Sequence, residues 1–337
     1  MKSKQVKFYI GLDVHQDMTA YAVRSWKGEI ISGGECATRF EDLFKILEPY
    51  LVSSVIGLEA CTSYYHIYWS FKNRGYDVRV ANTLRICQLV VKNDRLDAER
   101  LSDMLRLGTY PTSYVPDKKL MELRSMINIR HNFVEEQTRF KNQISSCLAK
   151  HGLKINEITK FSKKWTEQLL LILAKFPQIK ELHYGYEHYK IIEHRIDQIT
   201  AECITHCKLH WNKEFEVLQT IPGIAEKLAC YLIADICPIV RFKDKKKLRR
   251  YAGVIPCSQE SGGKTYGSYL PKGSSRGLLR WALIQASWAA VKGKNNLSKY
   301  YNKKKKTRLK TKAIMAVASS LSDIVYHVLN TKKPYIV

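Results

Sequence analysis

The sequence has little negative charge. Its 337 residues include 56 lysines and arginines but only 31 aspartates and glutamates, which gives a net charge of +25 at pH 7. Between Arg241 and Lys312 the only acidic residues are Asp244 and Glu260. Solubility alone does not require such an excess of positive charge. We therefore expect a polyanionic partner, with nucleic acid as the first candidate.

The sequence also lacks the marks of a membrane or zinc protein. No run reaches the ~18 apolar residues of a membrane span, and the N-terminal MKSKQVKFYIGLDV leads into a strand pattern rather than a signal peptide. None of the nine cysteines forms a CxxC pair, and the spacing of Cys203 and Cys207 on a predicted helix favours buried thiols over a metal site. We expect a protein without a membrane partner, in the reducing cytoplasm.

Short strand and helix patterns alternate over the first third of the chain. Three apolar runs punctuated by glycines predict an antiparallel meander, and strands and helices then alternate up to residue 107. The predicted strands are 7–14, 19–26, 29–36, 54–59 and 77–81, and the predicted helices are 40–51, 64–74 and 93–107. This order predicts a mixed sheet flanked by helices.

Four acidic residues in this region stand where a metal ion could use them. Asp13 ends the first strand, Glu59 ends the central one, and Asp94 and Asp97 share one face of a helix. Carboxylates placed in this way can converge on one or two Mg²⁺ ions, which polarise a phosphodiester. Each acid alone fits an ordinary strand end or helix start equally well. The set in this order favours a metal site.

A second candidate site lies in the basic segment 251–280, YAGVIPCSQESGGKTYGSYLPKGSSRGLLR. Ser261 stands before two glycines, and four cations follow it: Lys264, Lys272, Arg276 and Arg280. A hydroxyl nucleophile among cations suits attack on a phosphodiester, because the cations neutralise charge that develops on the phosphorus. An ordinary basic loop with a serine in its turn is an equally good explanation of this segment alone.

Helical patterns dominate the remainder. Long helices are predicted over 117–151 and 184–210, and heptad spacing in the second allows a coiled-coil arm, although a helical linker packed on its own domain fits as well. Segment 218–235 resembles a helix-hairpin-helix, in which the turn at Gly223 offers backbone N–H groups to a phosphate. Helices near 278–291 and 313–329 complete a mainly helical C-terminal domain.

A run of four lysines lies in that domain. It comprises Lys303, Lys304, Lys305 and Lys306. A solvated surface tract is the plain interpretation, but in a protein this basic we expect the run to contact a nucleic-acid backbone.

The motifs, taken in order, resemble the insertion sequence 110 family of transposases. They are GLDVH, GLEAC and KNDRLDAERLSDML, followed by LQTIPGIAEKLA, YAGVIPCSQESGGKTYG and KGSSRGLLRWAL. The resemblance implies an α/β RNase H-like (RuvC-like) domain over 1–116, a helical coiled-coil linker over 117–212 and a mainly α transposase domain over 213–337. It also implies a DEDD set and a serine nucleophile: Asp13, Glu59, Asp94 and Asp97, with Ser261.

Two departures from the family pattern stand beside these residues. Residues 60–63 read ACTS where the family often has Thr-Gly after the glutamate, and Glu260 stands where it often has a second serine. Neither departure removes a proposed catalytic group. Ser258 remains an alternative nucleophile.

The resemblance further implies a Mg²⁺-dependent DNA recombinase that works through a covalent phosphoserine. Its implied partners are donor and target DNA, a non-coding bridge RNA, and further copies of the chain in a dimer or tetramer, with acids of one protomer serving the serine of another. Three alternatives remain: a Piv-like site-specific DNA invertase, a RuvC-like nuclease with a bystander serine, and a non-enzymatic nucleic-acid binder. Covalent protein–DNA adducts would separate the recombinase from the nuclease.

Overall fold

The computed structural model describes residues 6–86, 94–155, 159–255, 257–261, 264–269 and 277–336, with only the backbone of 84–85, 94–95, 257–261 and 264–269. The chain divides into two compact units, Met1–Val115 and Pro116–Val337. The helices that the sequence assigned to a linker over 117–212 belong to the second unit.

The first unit is built on a six-stranded mixed sheet with the order β3-β2-β1-β4-β5-β6. The central strands β1, β4 and β5 are parallel, whereas the β1–β2, β2–β3 and β5–β6 pairs are antiparallel. The strands are β1 Phe8–Val14, β2 Met18–Ser25, β3 Ile30–Ala37, β4 Ser54–Glu59, β5 Asp77–Ala81 and β6 Thr112–Ser113. The predicted mixed sheet is confirmed.

Helices cover both faces of this sheet. They are α1 Phe40–Leu51, α2 Tyr64–Lys72, α3 Thr83–Ile86 and α4 Asp94–Arg106. Leu12 and Leu58 share one buried cluster with residues of α1 and α2. The alternate positions of the same strands, Gly11 and Gly57, face residues of α4 and Tyr110. The sheet therefore carries α1 and α2 on one face and α4 on the other.

Glycine at two strand positions lets α4 approach the sheet closely. A Cβ added at Gly11 would lie 2.0 Å from the carbonyl oxygen of Ala98 and 2.7 Å from the backbone nitrogen of Ser102. A Cβ at Gly57 would lie 2.8 Å from Leu105. Real side chains do not tolerate such distances, so any larger residue at Gly11 forces the helix outward.

The second unit is mainly helical, as predicted for the C-terminal region. Its helices are α5 Lys118–Lys150, α6 Lys163–Lys175, α7 Lys180–Gln219, α8 Glu226–Ile236, α9 Lys245–Ala252, α10 Gly277–Ala290, α11 Asn296–Lys305 and α12 Lys310–Thr331, and a hairpin joins β7 Cys257–Ser261 to β8 Lys264–Tyr269. A residue with non-helical angles, Trp211 (φ −139°, ψ 41°), interrupts α7.

The long helices α5 and α7 run antiparallel. Near one end His206 lies 3.0 Å from the carbonyl oxygen of Lys119, and near the other Lys150 lies 3.8 Å from Glu181. α6 adds Trp165 and its neighbours to a small core at the Lys150 end. The helix pair is therefore an arm with its own core, and coiled-coil packing along it remains a prediction.

A buried arginine joins this arm to the rest of the second unit. Arg130 of α5 is 6% exposed; its Nε donates to Thr200 Oγ1 at 2.8 Å, and its Nη1 donates to the Tyr231 hydroxyl at 3.0 Å. Tyr231 belongs to α8 in the main C-terminal core. The buried charge thus has partners on both α7 and α8, as a buried guanidinium requires.

α12 is long and apolar enough to cross a membrane by length and composition, and it is the single helix of the described residues that meets this test. The sequence had led us to expect no such segment. Val317, Leu321 and Val325 of this helix are fully buried in the C-terminal core, where α12 packs against α9, α10 and α11. Its apolar face is thus accounted for by that core.

The close approach at Gly11 can be tested by substitution. We expect Gly11→Ala to lower the melting temperature of the protein, because overpacking against the α4 backbone destabilises by about 1–3 kcal/mol. Gly33→Ala is the matched control, since a Cβ there meets nothing nearer than the Tyr21 carbonyl oxygen at 3.4 Å. Thermal unfolding followed by circular dichroism measures both variants, and equal melting temperatures would contradict the packing described here.

Candidate functional site

Asp13 and Glu59 stand at neighbouring strand ends on the face that α4 covers. β1 and β4 pair in parallel with Gly11 beside Gly57, and each acid lies two residues beyond its glycine. Because side chains alternate along a strand, each acid shares the face of its glycine. Asp13 is 8% exposed. The two carboxylates therefore belong to the same edge and the same face of the sheet.

The direction of α4 brings two further acids to that edge. Ala98 lies over Gly11 and shares a buried cluster with Ala20, the β2 partner of Asp13. At the other end of α4, the Arg106 guanidinium lies beside Gly28, in the turn before β3. The helix therefore begins at the Asp13 end of β1. Its first residues include two carboxylates, Asp94 and Asp97.

Nitrogen atoms of neighbouring side chains contact Asp13 and Asp97. His15 Nε2 lies 3.2 Å from Asp13 Oδ2, and Arg100 Nη1 donates to Asp97 Oδ1 at 2.7 Å. The Asp97 and Arg100 side chains are 22% and 27% exposed, so this pair is partly buried.

Two neutral groups lie near the strand ends that carry Asp13 and Glu59. The Cys61 thiol donates to the Val14 carbonyl oxygen at 2.8 Å, and burial raises its pKa above the ordinary value, with the Asp13 carboxylate adding to the rise. The Tyr110 hydroxyl donates to the Leu58 carbonyl oxygen at 2.7 Å, and burial raises its pKa, with the Glu59 carboxylate contributing. Both groups remain protonated at neutral pH and act as donors that fix the strand ends.

The donor chemistry of the four acids fits a divalent cation. Mg²⁺ prefers carboxylate oxygens, and here they are supplied by two adjacent strand ends and one helix start. Among the side chains that the structure describes, which exclude that of Asp94, no three histidine, cysteine or acidic groups stand close enough together to hold a metal. Metal binding by Asp13, Glu59, Asp94 and Asp97 therefore remains a prediction.

Arg24 holds α4 in place and was missed by the sequence analysis. Its Nη1 donates to the Gly28 carbonyl oxygen at 2.6 Å, its Nε donates to Ser102 Oγ at 3.3 Å, and its Nε lies 3.8 Å from Asp103. The guanidinium thus connects β2 to the helix that carries Asp97. The signal was an arginine in the largely apolar strand MTAYAVRS.

Ser261 is the last residue of β7. It pairs with Lys264 of β8, whereas Ser258 pairs with Ser268 farther from the turn, and the register shifts between Ser258 and Glu260. The proposed nucleophile is therefore at the end of a strand, beside a two-residue connection, with a lysine as its cross-strand partner. Lys272 and Arg276 lie outside the described residues, and Arg280 is half-buried in α10.

The lysine run ends α11. Lys303, Lys305 and Lys306 are exposed, and Lys304 Nζ lies 5.3 Å from the ring centroid of Tyr300. A further exposed run, Lys245–Lys247 at the start of α9, was not singled out in the sequence. Contact between the α11 run and nucleic acid remains a prediction.

Gly223 lies in the turn between α7 and α8, and two structural constraints require a glycine there. Its φ is +88°, and an added Cβ would lie 2.2 Å from the carbonyl oxygen of Ala286 and 2.6 Å from the nitrogen of Ala290. Both the left-handed backbone and the contact with α10 exclude a side chain. The turn at Gly223 and the helix predicted after it are present, whereas phosphate binding by the turn remains a prediction.

Comparison with known proteins identifies the same two regions. A model of the DEDD transposase domain of IS110, described as Transposase, matches residues 10–152, which contain Asp13, Glu59, Asp94 and Asp97. A model described as Transposase IS116/IS110/IS902 family matches residues 215–302, which contain Ser261.

Curated relatives carry matching descriptions. The transposase for insertion sequence element IS1111A of Coxiella burnetii is 25% identical over 292 residues, covering 82% of this chain and 78% of the relative. The putative transposase y4qE of Sinorhizobium fredii is 25% identical over 202 residues, covering 59% of this chain and about half, 48%, of the relative. An uncharacterized 44.8 kDa protein of insertion element IS116 from Streptomyces clavuligerus is 26% identical over 119 residues, covering 35% of this chain and 30% of the relative.

The two family models match in chain order. The first spans the four acids from Asp13 to Asp97, and the second spans Ser261. The chain belongs to the IS116/IS110/IS902 family of transposases, a family of enzymes that cleave and rejoin DNA.

Proposed function

We propose that this protein cuts and rejoins the DNA of an insertion element through a covalent phosphoserine at Ser261, with Mg²⁺ held by Asp13, Glu59, Asp94 and Asp97. The observation that carries the proposal is the meeting of β1, β4 and the start of α4 at one sheet edge. Each of the three elements brings at least one carboxylate to that edge. The second support is that Ser261 lies within the segment matched by the second family model.

The covalent step balances without an added reagent. Ser261 Oγ attacks the phosphorus, the bond from phosphorus to the 3′ oxygen breaks, the serine loses its proton, and the leaving 3′ oxygen gains one. A 3′ hydroxyl then attacks the phosphoserine and restores both the DNA and the serine, so the cycle needs no net hydrolysis. No histidine occurs from residue 211 to residue 326, so a histidine base close in sequence does not activate the serine.

The acids and cations have separate tasks in this chemistry. When bound, a divalent ion supplies positive charge that stabilises the attacking and leaving oxygens. Asp13 and Glu59 would hold it from the sheet, and Asp94 and Asp97 from the helix. Lys264, opposite Ser261 in the hairpin, would offset negative charge at the attacked phosphate.

The proposed partners follow from family membership and charge. They are donor and target DNA, a non-coding bridge RNA that pairs with both, and further copies of this chain in a dimer or tetramer. Acids of one protomer would serve the serine of another. The net charge of +25 supports a polyanionic partner without distinguishing RNA from DNA. We place the reaction in the cytoplasm.

Two other activities use the same residues. A Piv-like invertase would share the serine chemistry but invert a segment between fixed sites. A RuvC-like nuclease would use only the acids, and it would leave no protein–DNA adduct.

Loss of the serine hydroxyl separates these activities. We expect Ser261→Ala to abolish strand cleavage and covalent adducts and to leave nucleic-acid binding unchanged, because the substitution removes the nucleophile without altering charge. Ser258→Ala, on the same strand, is the matched control and should retain activity. Adducts are measured by denaturing gel electrophoresis with labelled DNA. If Ser261→Ala retains activity and Ser258→Ala loses it, the nucleophile is Ser258 and not Ser261.

Removal of a single carboxylate tests the metal set. We expect Asp13→Asn, Glu59→Gln, Asp94→Asn and Asp97→Asn each to block DNA cleavage, because each removes a ligand charge, and we expect chelation of Mg²⁺ to block it too. Asp77→Asn is the control: Asp77 begins β5 at the opposite edge of the sheet, its side chain is 48% exposed, and it pairs only locally with Arg79 in the contacts described. Cleavage is measured on labelled element ends.

A mixing experiment then tests the shared site. Asp13→Asn mixed with Ser261→Ala should regain part of the activity if acids and serine come from different protomers, since some mixed sites are intact. Full adduct formation by metal-stripped protein in excess chelator would contradict the metal-dependent mechanism.

A further inference from the structure

A basic cleft of about 910 Å³ lies in the second unit, next to the strand that ends at Ser261. Its wall runs from the end of α9 through the loop between α11 and α12 and along the first turns of α12. Residues on this wall include Arg249, Arg308, Lys312, Thr307, Ser319 and Tyr300. None of these six side chains belongs to the acidic set or to the cations singled out from the sequence.

The charged groups of the cleft favour an anion. Arg308 and Lys312 are exposed at the cleft, and Asp323 is the sole acid among the described lining residues. Asp323 Oδ1 lies 3.1 Å from Arg249 Nε, so this carboxylate is offset by its own arginine. Two exposed cations remain, with serine and threonine hydroxyls beside them. Such groups are the usual partners of phosphate oxygens in nucleic acids.

The remaining wall favours bases rather than phosphate alone. Tyr300 is half-buried at the cleft and carries the Lys304 ammonium 5.3 Å from its ring centroid, while Leu309 and Met315 supply apolar surface. Cations combined with an aromatic ring are typical of sites that hold unpaired nucleotides by backbone charge and base stacking. The volume is in the range of pockets that enclose a small ligand, roughly 300–1,000 Å³, and it is too small to enclose a duplex.

The cleft is also close along the chain to the proposed nucleophile. Ile255, on its wall, precedes Ser261 by six residues. At about 3.3 Å per residue, even a fully extended chain places the two within roughly 20 Å. We propose that this cleft binds unpaired nucleotides, holding a single strand beside the Ser261 hairpin. The proposal rests on the proposed function only in taking nucleic acid as the ligand.

Binding of labelled oligonucleotides by the full-length protein tests the cleft directly. The probes are short oligothymidine, oligouridine and a DNA duplex of the same length, each followed by fluorescence anisotropy across a salt series. We expect Arg308→Gln/Lys312→Gln to weaken single-strand binding and to reduce the salt slope by about 0.7 for each phosphate that the protein no longer neutralises. Duplex binding should fall much less. The stronger of the two single-strand probes assigns the cleft to DNA or to RNA.

Two sets of control variants keep the test specific. Lys163→Gln/Lys164→Gln removes two exposed lysines from α6 on the arm and should leave the single-strand preference unchanged. Tyr300→Leu should weaken single-strand binding, whereas Tyr300→Phe, which keeps the ring, should not. Because these readouts measure binding alone, they do not depend on catalysis.

Three results would overturn the inference. The first is that the Arg308→Gln/Lys312→Gln variant binds single strands as tightly as the parent. The second is that this variant loses as much affinity for the duplex as for single strands. The third is that Tyr300→Leu binds single strands as the parent does. If the parent binds none of the probes in a salt-dependent manner, the proposed function itself fails. If the parent binds and the variant behaves as the parent, only the cleft assignment fails.

Discussion

The architecture of the first unit depends on the absence of side chains at two matched positions of the central sheet. Gly11 and Gly57 are paired on adjacent parallel strands, and both face α4 or the residues that follow it. Because Ala98 lies directly over Gly11, the start of α4 is held at the end of β1. Asp13 and Glu59 end these two strands, and Asp94 and Asp97 lie in the first turn of the helix that begins at the same end of the sheet.

The second unit meets the same packing requirement at Gly223, where α10 lies against the turn between α7 and α8. The resulting core of α8, α10 and α12 is fully buried at Leu232, Leu283 and Leu321. The β7–β8 hairpin with Ser261 belongs to this unit. In both units, therefore, a glycine allows close backbone packing between elements of the core. The wall of the proposed single-strand cleft is made of helices from the same core.

Sequence patterns predicted much of the sheet because its alternation of apolar runs and glycines is strong: β4, β5 and α1 begin and end at the predicted residues. The elements that were missed include α6, α9 and the β7–β8 hairpin, each for an identifiable reason. α6 lies in a segment whose apolar residues, such as Leu170 and Leu171, are partly exposed and obscure the helical period. Five of the eight residues of α9 are lysine or arginine, and the β7–β8 hairpin contains few apolar residues. The clamp at Arg24 depends on contacts with residues 75 to 79 positions away, which local patterns do not contain.

Metal-directed backbone cleavage tests the central claim most directly, namely that β1, β4 and the start of α4 meet at one divalent ion. Fe²⁺ substituted for Mg²⁺ generates hydroxyl radicals in the presence of peroxide and ascorbate, and these cut the protein near the ion. The account predicts cuts clustered near residues 13, 59 and 94–97, all suppressed by excess Mg²⁺ and by Asp13→Asn. Cuts confined to only one of these segments, or unaffected by Mg²⁺, would contradict it.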